Sequence, residues 1–268
     1  MFCPLASGSS GNAVFIRGSH HALLFDVGIS YKSLLKKCRE VEIDPHEISG
    51  VCISHEHADH VRGLESFIKK HPVPVFCNRE TAKVLLKILP ERPSFRLFQT
   101  GERFYFHEFE ILPFRVQHDT VDPVMFTVKV LERKIGICTD LGLVSSTVEM
   151  HLEKCDILYI EANHEEERVM SCSRPAAYKQ RVLGRYGHLS NTASGQLIAT
   201  LTHASLEKII LAHLSEECND PLLAKEVVIR ELEKNGVFSP RIPIEVASRT
   251  EVTPPTNLSI IPTGIKGL

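Results

Sequence analysis

Apolar residues along this chain fall into short runs and strict alternations rather than long uninterrupted stretches. Phe109-Glu110-Ile111-Leu112-Pro113-Phe114-Arg115-Val116 places apolar side chains at near-alternate positions, as a half-buried strand does. Compact runs such as Leu23-Leu24-Phe25 and Ile157-Leu158-Tyr159-Ile160 read as strands covered on both faces. Strands are predicted at 13–17, 22–27, 50–53, 73–76, 95–98, 103–106, 109–116, 124–131, 134–139, 156–160 and 208–212. Helical spacing predicts helices near 30–40, 60–70, 79–88, 145–153, 174–186, 191–204 and 220–235. The early strands are spaced as hairpins and the later ones alternate with helices. That order predicts an α/β protein of two packed sheets with helices on both outer faces. No internal repeat breaks the pattern. One domain is expected over 1–248, and 249–268, with Pro254, Pro255 and Pro262, reads as an irregular or disordered tail.

One interruption of the apolar pattern carries candidate chemistry. Behind the buried run Gly50-Val51-Cys52-Ile53 stands Ser54-His55-Glu56-His57-Ala58-Asp59-His60, and Val61, Leu64, Phe67 and Ile68 then resume helical spacing. Imidazole nitrogens and carboxylates together form a ligand set for first-row divalent metals. In extended backbone His55 and His57 share a side, so one ion can take both. Asp59 and His60 are offset and face a second point, which predicts two ions.

H-x-H-x-D-H after an apolar strand resembles the signature of the metallo-β-lactamase fold hydrolases. The resemblance implies a four-layer αββα sandwich of two mixed sheets flanked by helices. It also implies further ligands at strand ends, carried here onto His118 after 109–116, Asp140 after 134–139 and His213 after 208–212. His55, His57, His118 and Asp140 would hold one ion, and Asp59, His60, His213 and Asp140 the other, with a shared hydroxide as nucleophile. Zinc, manganese and iron all accept such ligands. Asp26 and Gly28, in Leu23-Leu24-Phe25-Asp26-Val27-Gly28, resemble the family's D-x-G, whose aspartate supports the ligand loop by hydrogen bonds.

Two later elements narrow the family. Glu161-Ala162-Asn163-His164 and Gly187-His188-Leu189-Ser190-Asn191-Thr192-Ala193 resemble the paired motifs of transfer-RNA 3′-processing ribonucleases. The likeness assigns His188 as the acid that protonates the leaving oxygen of a phosphodiester, oriented by Glu161. Asp59, His188 and Glu161 thus form the candidate catalytic set. Ser190 and Asn191 read both as substrate contacts and as caps of the following helix. His164 either contacts metal or substrate or faces solvent ahead of Glu165-Glu166-Glu167.

Phe2-Cys3-Pro4-Leu5-Ala6-Ser7-Gly8-Ser9-Ser10-Gly11-Asn12-Ala13 adds a resemblance, over about residues 1–240, to the YycJ/WalJ family of bacterial metallo-β-lactamase fold proteins. It implies a 5′→3′ exonuclease acting on DNA. The small-residue turn allows backbone amides to approach an anion closely, with Ser9, Ser10 and Asn12 as substrate contacts, or is an ordinary tight turn.

From Arg168 to His188 the chain carries Arg174, Lys179, Arg181 and Arg185 with no carboxylate, a candidate phosphate-tracking surface or a solvated cationic helix face. The overall charge of -2 offers no global attraction to nucleic acid, so any such binding is local. Eight scattered cysteines without a C-x-x-C pair read as reduced thiols. No basic leader or span-length apolar stretch occurs, which predicts a cytoplasmic protein with no membrane contact; oligomeric state is left open. The competing functions are a hydrolase of a small thioester, lactone or cyclic phosphodiester, disfavoured by Glu161, His188 and the basic stretch, and a non-catalytic nucleic-acid-binding module, disfavoured by seven intact ligand candidates.

Overall fold

The structure, a computed structural model, describes residues 1–237 and 242–258. Its first sheet runs in sequence order: β1 (Phe2–Ala6), β2 (Ala13–Arg17), β3 (Ala22–Phe25), β4 (Ile48–Cys52), β5 (Val75–Cys77) and β6 (Phe95–Leu97). The second holds β7 (Phe104–Phe106), β8 (Phe109–Arg115), β9 (Val124–Val130), β10 (Arg133–Cys138), β11 (Ile157–Glu161), β12 (Lys208–Ala212) and β13 (Ile244–Val246), also in sequence order. Both sheets are mixed: β1 to β3 and β7 to β10 pair antiparallel, and β3 to β6 and β10 to β13 pair parallel.

Between the sheets Phe2, Phe25, Phe126 and Tyr159 form an apolar layer, with Phe25 and Phe126 edge to face at 5.2 Å. The outer face of the first sheet is covered by α1 (Tyr31–Glu40), α3 (Leu64–Lys70) and α4 (Arg79–Ile88), through Leu34, Phe67 and Leu85. Leu152, Ile198 and Val228 cover the second sheet from α5 (Ser146–Leu152), α8 (Asn191–Leu201) and α9 (Pro221–Lys234). This is the expected four-layer αββα sandwich. Each fully buried Leu or Phe removes enough apolar surface from water to contribute roughly 1.5–3 kcal/mol.

Several elements differ from the sequence reading. The helix expected over 60–70 is broken into α2 (Ala58–Val61) and α3, because Gly63 sits so close to the 27–29 turn that a Cβ there would lie 1.9 Å from Ile29 O. β1 escapes the pattern because all five residues are buried and none alternates; as the edge strand of its sheet it tolerates Pro4. β13 is three residues long, and α6 (Glu166–Ser171) is hidden in the acidic run. The helix expected over 174–186 is the shorter α7 (Ala176–Leu183). Of the tail, residues 249–258 lie along β1: Phe2 and Thr256 exchange two backbone hydrogen bonds of 2.8 Å, and Leu258 is buried. Residues 259–268 lie outside the described residues.

Among the described residues no helix is long and apolar enough to cross a membrane. Seven of the eight cysteines are buried and none is disulfide-bonded. Burial pushes the Cys38, Cys77 and Cys155 thiols up to about 12, so they behave as small apolar groups.

Candidate metal centre

The site collects on one edge of the sandwich, where strands from both sheets end. Asp26 follows β3, Ser54 and His55 follow β4, His118 follows β8, Asp140 follows β10, Glu161 closes β11 and His213 follows β12. Asp26, Asp140 and His213 hold φ of 61°, 53° and 53°. The left-handed region is costly for a residue with a Cβ, and here it turns the chain sharply off each strand.

The seven predicted ligands come together as two groups. His55, His57 and His118 form one, and Asp59, His60, Asp140 and His213 the other, with the donor atoms of each group within 4.8 Å of one another. Asp140 faces both: its Oδ1 lies 3.9 Å from His118 Nε2 and 3.5 Å from His213 Nε2, and its Oδ2 lies 3.3 Å from His60 Nε2.

A metal-binding role is tested by what lies behind each donor. His118 Nδ1 donates to Gly187 O at 3.1 Å, His60 Nδ1 to Asp26 Oδ2 at 2.8 Å and His213 Nδ1 to Glu161 Oε1 at 2.8 Å. Each of these rings is thereby fixed with Nε2 turned inward, the outer-sphere pattern of ligating imidazoles. His55 Nε2, Asp140 Oδ2 and His213 Nε2 are buried without any hydrogen-bond partner. Buried polar atoms without partners are rare and costly, and a cation satisfies all three. Burial pushes the His55 imidazole well below its ordinary value, the neutral state that ligation requires. Burial would also lower His213, but Asp140, Asp59 and Glu161 outweigh it and raise the ring to about 10. A field that holds a proton there also favours a cation, so these His and Asp clusters are able to hold metal ions.

Glu161, His188, Asp140 and His213 also lie close enough to form a third group. Glu161 is committed elsewhere: Oε1 accepts from His188 Nδ1 at 2.9 Å and from His213, and Oε2 accepts from the backbone of Leu141 at 3.1 Å and Leu189 at 3.0 Å. Burial would raise its carboxyl, yet the facing His188 and His213 hold it down at about 2. Four hydrogen bonds leave no lone pair for a metal.

Access is one-sided. The side chains of His57, Asp59 and His188 are 31%, 19% and 13% exposed, whereas His60, His118, Asp140 and His213 are 1–2% exposed. The cleft therefore opens past His57, Asp59 and His188.

The other nominated residues divide. Asp26 does stand behind the ligand loop, accepting from Ser54 N, Ser54 Oγ and His60 Nδ1, each at 2.8 Å. Asn12, expected to touch substrate, is buried against the ligands themselves, its Nδ2 3.2 Å from Asp59 Oδ2 and 3.0 Å from the inward-facing His60 Nε2. Ser190 caps α8 by accepting from Ala193 N. Asn191 is fully buried and bonds Glu165 and Asn219, which leaves it no surface to offer a substrate. Ser9 and Ser10 are exposed. Arg174 pairs with Glu217, Lys179 donates to Met170 O and Arg181 pairs with Asp119, so three of the four basic side chains have partners within the protein; Arg185 is exposed. His164 is 1% exposed beside Asn163 and lies in none of the three groups. Sequence reasoning missed Asn163, whose Nδ2 donates to His213 O at 2.7 Å, and Asp119, next to His118.

The family model described as Beta-lactamase superfamily domain matches residues 21–214, so the chain belongs to that hydrolase superfamily. Within it the likeness is to the YycJ/WalJ proteins. The chain is 30% identical to exodeoxyribonuclease YycJ of Bacillus anthracis over 88% of this chain and 90% of that one. It is 32% identical to exodeoxyribonuclease WalJ of Streptococcus pneumoniae over 85% and 86%. The metallo-β-lactamase fold protein YhfI of Bacillus subtilis superimposes with a TM-score of 0.69 at 15% identity, over 94% of this chain and 97% of that one.

Proposed function

We propose that the protein is a binuclear metal-dependent phosphodiesterase, a DNA exonuclease working from the 5′ end, with His188 as its general acid. The observation that carries this reading is the buried Glu161 carboxylate shared by His188 Nδ1 and His213 Nδ1. One rigid group thus orients both a ligand candidate and a partly exposed imidazole at the cleft. With Nδ1–H committed to Glu161, Nε2 is the ring atom able to hand a proton to a departing sugar oxygen.

Two divalent ions, zinc or manganese with iron a third candidate, would supply an activated water and neutralise charge developing on the phosphate. His55, His57 and His118 with Asp140 would hold one, and Asp59, His60 and His213 with Asp140 the other. The seven side chains bring only two negative charges, so the loaded site keeps a positive surplus that favours an anionic substrate. The names of the YycJ and WalJ relatives support DNA as that substrate, and Arg174 and Arg181 line the cleft beside His188.

Incubation of the zinc- or manganese-loaded protein with end-labelled single- and double-stranded DNA and RNA tests the reading. The expected product is 5′ mononucleotides released from the 5′ end of DNA. His188→Ala should retain metal while kcat falls by about 10²–10⁴-fold, the usual contribution of a general acid. A variant as active as the parent removes His188 from the role, and a parent that cleaves no polymer shifts the reading to a small substrate.

A further inference from the structure

A cleft of about 310 Å³ opens beside His188, lined among others by Ser9, Asn163, Arg174, Tyr178, Arg181 and Ser215. If His188 protonates the departing oxygen, the part of the substrate that leaves lies on His188's side, in this cleft. Its volume suits one nucleotide.

Arg181, one of the two guanidinium groups lining this cleft, is already occupied. Arg181 forks onto Asp119, Nε to Oδ2 at 2.6 Å and Nη2 to Oδ1 at 3.3 Å. This is the two-pronged geometry that a guanidinium also adopts on phosphate. Asp119 directly follows His118, and its Oδ1 lies 3.5 Å from His118 Nε2 and 3.8 Å from His57 Nε2. The carboxylate therefore stands between the first ligand group and the cleft. Arg181 and Asp119 are 51% and 34% exposed, and an ion pair so open to water contributes little to the fold. Opening it costs the structure correspondingly little.

We propose that Asp119 is a displaceable stand-in for phosphate: it holds Arg181 in the free protein, and a phosphate of the bound strand takes Arg181 over. This rests on the phosphodiesterase reading and deepens it, by naming the residue pair that sets affinity for the departing nucleotide. Asp119 is then a specificity-determining residue whose removal improves binding, the opposite of what loss of a metal-ordering carboxylate alone would do.

The test is a double-variant cycle on the metal-loaded full chain, read as fluorescence anisotropy of a dye-labelled short single strand with phosphorothioate linkages to slow cleavage. Arg181→Ala should weaken binding about tenfold and lower the slope of log K against log salt by about one. Asp119→Asn should tighten binding about fivefold in the native background and have no effect beside Arg181→Ala. An equal gain with and without Arg181 would reduce Asp119 to a distant repulsive charge and overturn the inference, as would an Arg181→Ala variant that binds like the parent. Arg181→Lys, which keeps the charge and loses the fork, should lose most of the Asp119→Asn gain; a full gain there argues against the exchange. Hydrolysis of bis(p-nitrophenyl) phosphate is measured alongside. Its absence in the parent would sink the phosphodiesterase reading, while the cycle decides the Asp119–Arg181 exchange by itself.

Discussion

Replacing Asp26 by asparagine alters one atom behind the ligand loop and almost nothing in volume. In the native chain Oδ1 accepts from Ser54 N and Oδ2 accepts from Ser54 Oγ and His60 Nδ1, all at 2.8 Å. An asparagine that keeps its oxygen on Ser54 N turns its NH2 group toward His60 Nδ1, donor against donor. His60 relieves this only by moving its proton to Nε2, the atom 3.3 Å from Asp140 Oδ2 and 3.6 Å from Asp59 Oδ2. A protonated nitrogen cannot ligate. Loss of such a partner behind a ligand costs roughly 10–100-fold in metal affinity. The hydrogen bond lost is charge-assisted, about 2 kcal/mol, which at this chain length lowers Tm by roughly 4–8 °C.

The two effects are read separately. Equilibrium dialysis against zinc should give two bound ions for the parent. The Asp26→Asn protein should keep the ion at His55, His57 and His118 and weaken the other 10–100-fold. Asp26→Ala also strands the buried Ser54 N–H and should show a larger fall in Tm. Two ions bound at parental affinity by Asp26→Asn, whatever its Tm, would refute the argument that Asp26 sets the His60 tautomer.

Two further substitutions test the frame that carries the site. At Gly28 a Cβ would lie 1.6 Å from Asp59 O and 2.6 Å from Asn12 N, both backbone atoms, so Gly28→Ala should displace the ligand loop. About 3 kcal/mol or more of destabilisation and weaker metal binding are expected by thermal melts and dialysis; an unchanged Tm would mean that the 26–28 turn yields freely. Glu108 joins the β7–β8 hairpin to the turn ahead of β3, accepting from His20 N, His21 N and His21 Nδ1 at 2.7–3.0 Å. Burial would raise its carboxyl, but these donors hold it down from 4.5 to about 2. A depressed folded value gives stability that is present above the ordinary value and is lost as pH falls through the folded one. The Tm gap between the parent and Glu108→Gln should therefore be full above pH 4.5 and close toward pH 2; a gap that stays constant across that window contradicts the linkage.

How much of this was legible follows from what each interaction requires. The 55–60 cluster was readable because its four ligands are local and their chemistry is narrow. His118, Asp140 and His213 needed the family likeness, since a lone polar residue after a strand is common, and only their convergence within 4.8 Å on His55, His57, Asp59 and His60 sets them apart. Ser190 is spent on capping α8 and Asn191 on Glu165 and Asn219, and a sequence cannot distinguish a polar side chain used inside the fold from one offered to a substrate. The basic stretch shows the limit most clearly. Residues 168–188 contain no carboxylate, yet Asp119 reaches Arg181 from 62 residues away and Glu217 reaches Arg174 from 43. Positive charge counted along a segment is therefore an upper bound on the charge its surface presents. Phosphate binding on this surface becomes an exchange of anions rather than the filling of a bare cation, which is why the carboxylates, as much as the arginines, should set its affinity.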